Sequence, residues 1–333
     1  MSTDSRSLRR SGPVVAKERF YALVLGACAF LTLLVTVGIV LSLLVPALEF
    51  FTQVSPVAFL TGTEWSPLVG DPVFGVLPLL TGTLIVTVVS AMIALPIGLA
   101  VAIYLSEYAR PRVRSYLKPT LEILAAVPTV VYGYFALVYV TPILDVPLPV
   151  AIPIVPAGIE GVPAFTFEVP SLGTFNALSA SVIVGIMIIP MVSSISEDAI
   201  SSVPDSLREA AYGLGSTKFD VSTKVVVPAA TSGIVSSYVL AISRAIGETM
   251  IVTIAAGLSP HMPYVPDVLR NLTEATQTMT AAMVQIVGSE QTGGAGVPLY
   301  ESMFAIGITL FVVTLVMNLV AELVRRHFRE VYD

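Results

Sequence analysis

Apolar and polar positions along this chain do not alternate with the period of a soluble helix or strand. They segregate into six long apolar stretches, at about 21–48, 76–105, 119–144, 172–196, 225–258 and 303–324. A helix needs about 20 residues to cross the hydrocarbon of a bilayer, and each stretch is at least that long. The first two contain no Asp, Glu, Lys or Arg. The pattern therefore predicts an all-helical membrane protein with six spans. The segment 145–171 is apolar enough to suggest a seventh, but it carries Pro147, Pro149, Pro153, Pro156, Pro163 and Pro170. Each proline removes a backbone donor where no water satisfies the freed carbonyl, so this segment reads as an external loop. Pro96, Pro128 and Pro190 fall inside spans and predict kinks.

Charge supplies an orientation. All basic residues except Arg244 and Arg270 fall in the N-terminal tail, the loop after the second stretch, the loop after the fourth, or the C-terminus. Basic loops stay cytoplasmic, so both termini are expected there. The opposite loops hold Glu49, Glu64, Asp71, Asp145, Glu160, Glu168, Asp267, Glu274, Glu290 and Glu301 against Arg270 alone. An outer face of that sign repels free anions, and an anionic solute would need a carrier to reach it. The layout is a basic tail over 1–20, a first helix and outer loop over 21–75, a transmembrane domain over 76–327 with a cytoplasmic loop at 197–224, and a short cytoplasmic end at 328–333. The first apolar run exceeds a signal-peptide core, so it is kept as a span in the plasma membrane.

Composition agrees: 55% of residues are hydrophobic, 12% are charged, and the mean hydropathy is +0.87. Enzymatic equipment is not legible. Gly213-Leu214-Gly215-Ser216-Thr217-Lys218 has the glycines and lysine of a phosphate loop in the wrong order. His261, His327 and the lone Cys28 form no ligand pattern for a metal; the histidines read as solvated and Cys28 as a buried packing residue. Asn271-Leu272-Thr273 has the form of a glycosylation sequon.

Two polar features interrupt the apolar plan. In the fifth stretch, Arg244 and Glu248 stand one helical turn apart, with Thr249 beside them. A charge at the centre of a span costs about 2.5 to 3.5 kcal/mol by insertion scales, so these should face the protein interior. Either they form an internal ion pair, or Arg244 meets an anion in transit, its planar fork suited to two oxyanion oxygens, with Glu248 holding it until the anion arrives. In the loop after the fourth stretch, Ser201 or Ser202 can cap a short helix starting at Pro204 and Asp205, which Gly213 or Gly215 can end. Arg208 and Glu209 would then offer polar contacts beside the small residues Ala210 and Ala211.

That loop, with Glu209-Ala210-Ala211, a glycine, and Val225-Val226-Val227-Pro228 in register, resembles the EAA signature of the permeases of ATP-binding-cassette (ABC) importers. The resemblance implies a MetI-like fold and an ATPase docking site at Arg208, Glu209, Ala210, Ala211 and Gly215. Arg244-Ala245-x-Gly247-Glu248-Thr249, with 59–67 and 74–84, resembles phosphate permeases of the PstC type. In that family the arginine and glutamate are tied to transport. The resemblance further implies a PstA-like permease partner, two ABC ATPase subunits that bind ATP and magnesium in place of this chain, and an extracytoplasmic phosphate-binding protein. No cofactor is expected in this chain, and no nucleic acid. The alternatives are a sulfate or molybdate permease, a secondary transporter carrying protons on Glu248, or a signalling scaffold.

Overall fold

The computed structural model describes residues 12–68, 71–145, 171–289 and 298–327, with side chains between 17 and 323. The proline-rich loop expected at 145–171 lies almost wholly outside the described residues, as do Arg6, Arg9, Arg10, Glu160, Glu168, Glu290 and Arg329. The chain is built from helices. Four are long and apolar enough to cross a membrane by themselves: Lys17–Gln53, Leu77–Tyr108, Ala177–Ser201 and Leu299–Leu323. Two bent pairs bring the number to six if each pair is one span.

The first helix, α1 (Gly12–Gln53), packs against the last, α13 (Leu299–His327), and leaves most of its length exposed. Its final turn enters a compact aromatic cap with α2 (Pro56–Thr61) and the antiparallel pair β1 (Trp65–Ser66) and β2 (Val73–Phe74). Phe50 meets Phe59 and Phe74 edge-on, with ring centroids 5.4 and 5.3 Å apart, and Trp65 meets Phe74 at 5.9 Å. Edge-to-face rings bury large apolar area and add about 0.5 to 1.5 kcal/mol per pair.

The core is the interface between α3 (Leu77–Tyr108) and α6 (Ala177–Ser201). Small residues let the two backbones approach: Ala94, Gly98, Ala180 and Gly185 are buried there. Ser90 Oγ lies 2.9 Å from the Ser181 carbonyl, a polar tie in an otherwise apolar seam. Asn176 caps α6 by accepting from the Ser179 amide at 2.7 Å, so the fourth span begins at Ala177, not at 172.

Two predicted spans are corrected. The third does not begin at 119. The segment Pro111–Ala125 forms a separate amphipathic helix, α4, and the chain turns by 87° before α5 (Thr129–Leu144). Lys118 and Glu122 give α4 a polar side, and Pro128 opens α5 as its N-cap instead of kinking a helix interior. The elbow is braced because the Tyr132 hydroxyl donates to the Leu124 carbonyl at 2.8 Å. The fifth span likewise starts at Thr231, after a 71° turn between α8 (Lys218–Ala229) and α9 (Thr231–Ile246). It then breaks at Gly247 and resumes through α10 (Val252–Ala256).

Beyond that break the chain does not simply loop outside. After α11 (Arg270–Thr273) it returns as an apolar helix, α12 (Met279–Gly288), whose first turn is buried. Its Met279 amide donates to Thr83 Oγ1 at 3.0 Å, inside the first two turns of α3. Gly82 permits this approach, since a Cβ there would stand 2.3 Å from the Gln277 carbonyl oxygen.

Candidate translocation and docking sites

At the break in the fifth span, the sequence placed Arg244 and Glu248 on one helical face. The structure separates them. Helix α9 ends at Ile246, and Glu248 lies in the irregular stretch that follows. Its carboxylate turns forward, accepting from the amides of Met250 at 3.1 Å and Ile251 at 3.3 Å. Glu248 is thus 7% exposed and acts as the cap of the resumed segment. Its carbonyl accepts from the Thr280 hydroxyl at 2.7 Å, which joins the break to the buried turn of α12. Helical spacing gave the wrong partner because a capping acid competes with the next turn of helix.

Arg244 remains in α9 and is exposed, and among the described residues its guanidinium has no hydrogen bond or ion pair. Ser243 beside it donates to Asn318 Oδ1 of α13 at 2.7 Å. Thr249 is half-buried, its hydroxyl 3.2 Å from the Gly247 carbonyl. An unpaired arginine in an apolar span is not stable against lipid.

The loop after α6 carries the second site. Helix α7 (Asp205–Gly213) begins after Pro204, which has no side-chain cap. Ser201 ends α6, and the Ser202 hydroxyl turns back to the Ala199 carbonyl, so neither serine caps α7 as the sequence suggested. The close is as expected at Gly215, whose φ of +84° is left-handed. There the Ser216 amide donates to Ala211 O and the Gly215 amide to Tyr212 O.

The five residues expected to dock divide. Glu209, Ala210 and Gly215 are exposed. Ala211 is buried among Ala102, Ile200, Val203 and Val221. Arg208 also turns inward, pairing with Glu107 at 3.0 Å and donating to the carbonyls of Ile200 at 2.9 Å and Val203 at 2.5 Å. Arg208 and Ala211 therefore seat α7 on its own chain, while Glu209, Ala210 and Gly215 face outward. Tyr212, Leu214 and Phe219 add exposed apolar surface, Leu214 at 88%. Such a patch on a charged loop marks an interface.

Two acids beneath this loop were missed. Glu107 closes α3, and Glu197 in α6 is fully buried. Glu197 accepts from Arg114 and, at 2.6 Å, from Lys118 of α4, and Lys118 also pairs with Asp198 at 2.9 Å. The available signal was an acid inside an apolar helix opposite a basic loop, a combination that buried charge requires.

At the opposite end, one expectation fails, and the sequon's asparagine is engaged within the chain. Asn271 is buried, accepting from the Tyr264 amide at 2.7 Å and donating to the Tyr264 carbonyl at 3.0 Å, so the sequon's side chain is already engaged. His261 is not merely solvated: it stacks on Tyr264 at 4.9 Å, and its two nitrogens lie 3.0 Å from the carbonyls of Met262 and Ala275. Arg270 covers the other group of this cluster, 3.9 Å from the Tyr264 ring centroid, and bonds Glu274 at 2.6 Å. That bond holds the Glu274 carboxyl below its ordinary range.

Comparison with known proteins places this architecture. Residues 94–330 match the model of the binding-protein-dependent transport system inner membrane component family. A probable ABC transporter permease, YqgH of Bacillus subtilis strain 168, is 36% identical over 247 residues, 73% of each chain. The phosphate transport system permease protein PstC of Mesorhizobium japonicum is 31% identical over 298 residues, 89% of this chain and 86% of that one. Among solved structures, a bacterial ABC transporter importing the acidic polysaccharide alginate superposes with a TM-score of 0.60 at 14% identity, covering 95% of this chain and 99% of that one. The match over 94–330, with the bent helices and the outward Glu209-Ala210 loop, establishes that this chain belongs to the binding-protein-dependent transport system inner membrane component family, the membrane-spanning permeases of ABC importers.

Proposed function

We propose that this permease conducts inorganic phosphate inward, in an ABC importer whose ATPase and binding-protein subunits are separate chains. The observation that carries the reading is Arg244, a guanidinium in an apolar span with no partner among the described residues. Similarity to phosphate permeases over most of the chain supports phosphate as the oxyanion. Arg244 then supplies bidentate donors to a phosphate, and Glu248, engaged with amides, leaves that charge uncompensated. The partners are a PstA-like permease completing the path, two ATPases seated on Glu209, Ala210 and Gly215, and an extracytoplasmic phosphate-binding protein at the acidic end. ATP and magnesium belong to the ATPases. Both termini and α7 lie in the cytoplasm, following the basic residues.

Labelled-phosphate uptake into proteoliposomes holding the whole complex tests this, with sulfate and molybdate as competitors. Uptake dependent on ATP and the binding protein, blocked by neither competitor, is expected. Preference for sulfate or molybdate would reassign the substrate. Uptake driven by a proton gradient without ATP would favour a proton carrier, a role for which Glu248 is poorly placed because two amides already hold its carboxylate.

A further inference from the structure

The docking loop and the break at Glu248 lie at different depths of the chain, yet a continuous series of contacts joins them. Arg208 fixes α7 to the end of α6 through the carbonyls of Ile200, in its last turn, and Val203, two residues beyond it. One turn deeper in α6 lies Glu197, 0% exposed, which holds Arg114 and Lys118 of α4. No residue of α4 is buried, and an open cleft of about 470 Å³ runs along it past Arg114, Ser115, Lys118 and Glu122. Apolar packing therefore does not lock α4 in place. Beyond α4 the elbow is braced by Tyr132 on Leu124, so tilting α4 also turns α5. Helix α5 in turn touches the resumed half of the fifth span, where a Cβ on Gly133 would stand 3.2 Å from Ile251 Cα and 3.1 Å from Ile254 Cδ1. Ile251 is the residue whose amide Glu248 caps.

We propose that Glu197 is the positioning residue that couples ATPase docking to the translocation path, by tying the amphipathic helix α4 to α6. A shift of α7 moves the end of α6, Glu197 carries that shift to α4, and the braced elbow delivers it to the Met250–Ile251 turn that Glu248 caps, just after the break that follows Arg244. Ion pairs suit this role because they let α4 pivot along the cleft without opening a cavity. The proposal rests on α7 being the docking helix and assigns a route for its movement.

The test uses the complete reconstituted complex. Arg114 and Lys118 are 40% and 30% exposed, so they can solvate when Glu197 is neutralised, and Glu197→Gln should assemble. The expected result is ATP hydrolysis retained, with the ATP consumed per phosphate imported rising about five- to thirtyfold. Bridging α4 to α6 should then recover coupling: in a Cys28→Ser, Glu197→Gln background, Lys118→Cys with Asp198→Cys is joined by a short bifunctional thiol reagent. An unchanged coupling ratio in Glu197→Gln would overturn the proposal, as would loss of the ATPase from that complex or failure of the bridge to recover uptake. Glu209→Lys, assayed alongside, separates the docking reading: if that variant keeps its ATPase bound and transports normally, the docking assignment fails while the Glu197 result is still read from the coupling ratio.

Discussion

Arg244 and Glu248 are four positions apart in sequence but do different work. Arg244 makes no bond within the described residues, so Arg244→Gln should stop phosphate uptake while assembly and ATP hydrolysis persist. Glu248 holds two amides and, through its carbonyl, Thr280. Glu248→Gln retains an acceptor and should reduce uptake only mildly. Glu248→Ala removes the cap and should cost about 1 kcal/mol of stability, read as a lower melting temperature of the detergent-solubilised complex. An Arg244→Gln complex that still imports phosphate would remove Arg244 from the path. At the opposite end, Arg270 holds Glu274 in its charged form. A carboxyl depressed in the folded state stabilises the loop above its unfolded value, about 4.3, and loses that contribution as pH falls through the depressed value. Arg270→Ala should therefore raise the pH at which limited proteolysis begins to cut the loop 258–274 on acidification. No shift would mean the ion pair does not hold the loop.

Helix α7 is amphipathic in two senses: its inner side is tied down by a buried ion pair, and its outer side presents Glu209 and Ala210. Arg208 and Glu107 are 15% and 6% exposed, so removing Arg208 strands a buried carboxylate. Breaking such a pair typically costs about 3 to 5 kcal/mol. Arg208→Ala should accordingly lower the amount of permease recovered from membranes, whereas Glu209→Lys should leave that amount unchanged and release the ATPase on co-purification. Equal recovery of both variants would contradict the inward placement of Arg208. Helix α4 illustrates why element boundaries escaped hydropathy. Residues 119–125 average into the third apolar stretch, but the helix they belong to is tied through Lys118 to Glu197, a partner 79 positions away.

Across the whole molecule, charge asymmetry is the argument for the proposed orientation, with both termini in the cytoplasm. A cysteine introduced at exposed Thr61 should react with an impermeant thiol reagent outside intact cells, and one at exposed Ser115 should react only after permeabilisation. The reverse pattern would invert the topology. The helical membrane fold class and the long apolar spans were legible in the chain because the bilayer demands long apolar runs and internally bonded backbone, requirements that are local in sequence. The short helix Asp205–Gly213 and its close at Gly215 were legible for a similar reason, since they depend on short spacing within one helix and its cap. What only tertiary structure decided is where each charge is satisfied. Arg208 found Glu107, Lys118 found Glu197, and Glu248 chose the amides of Met250 and Ile251 over Arg244. Spacing along a helix constrains neighbours three and four residues away, whereas a buried charge is paired by whatever element packing brings to it.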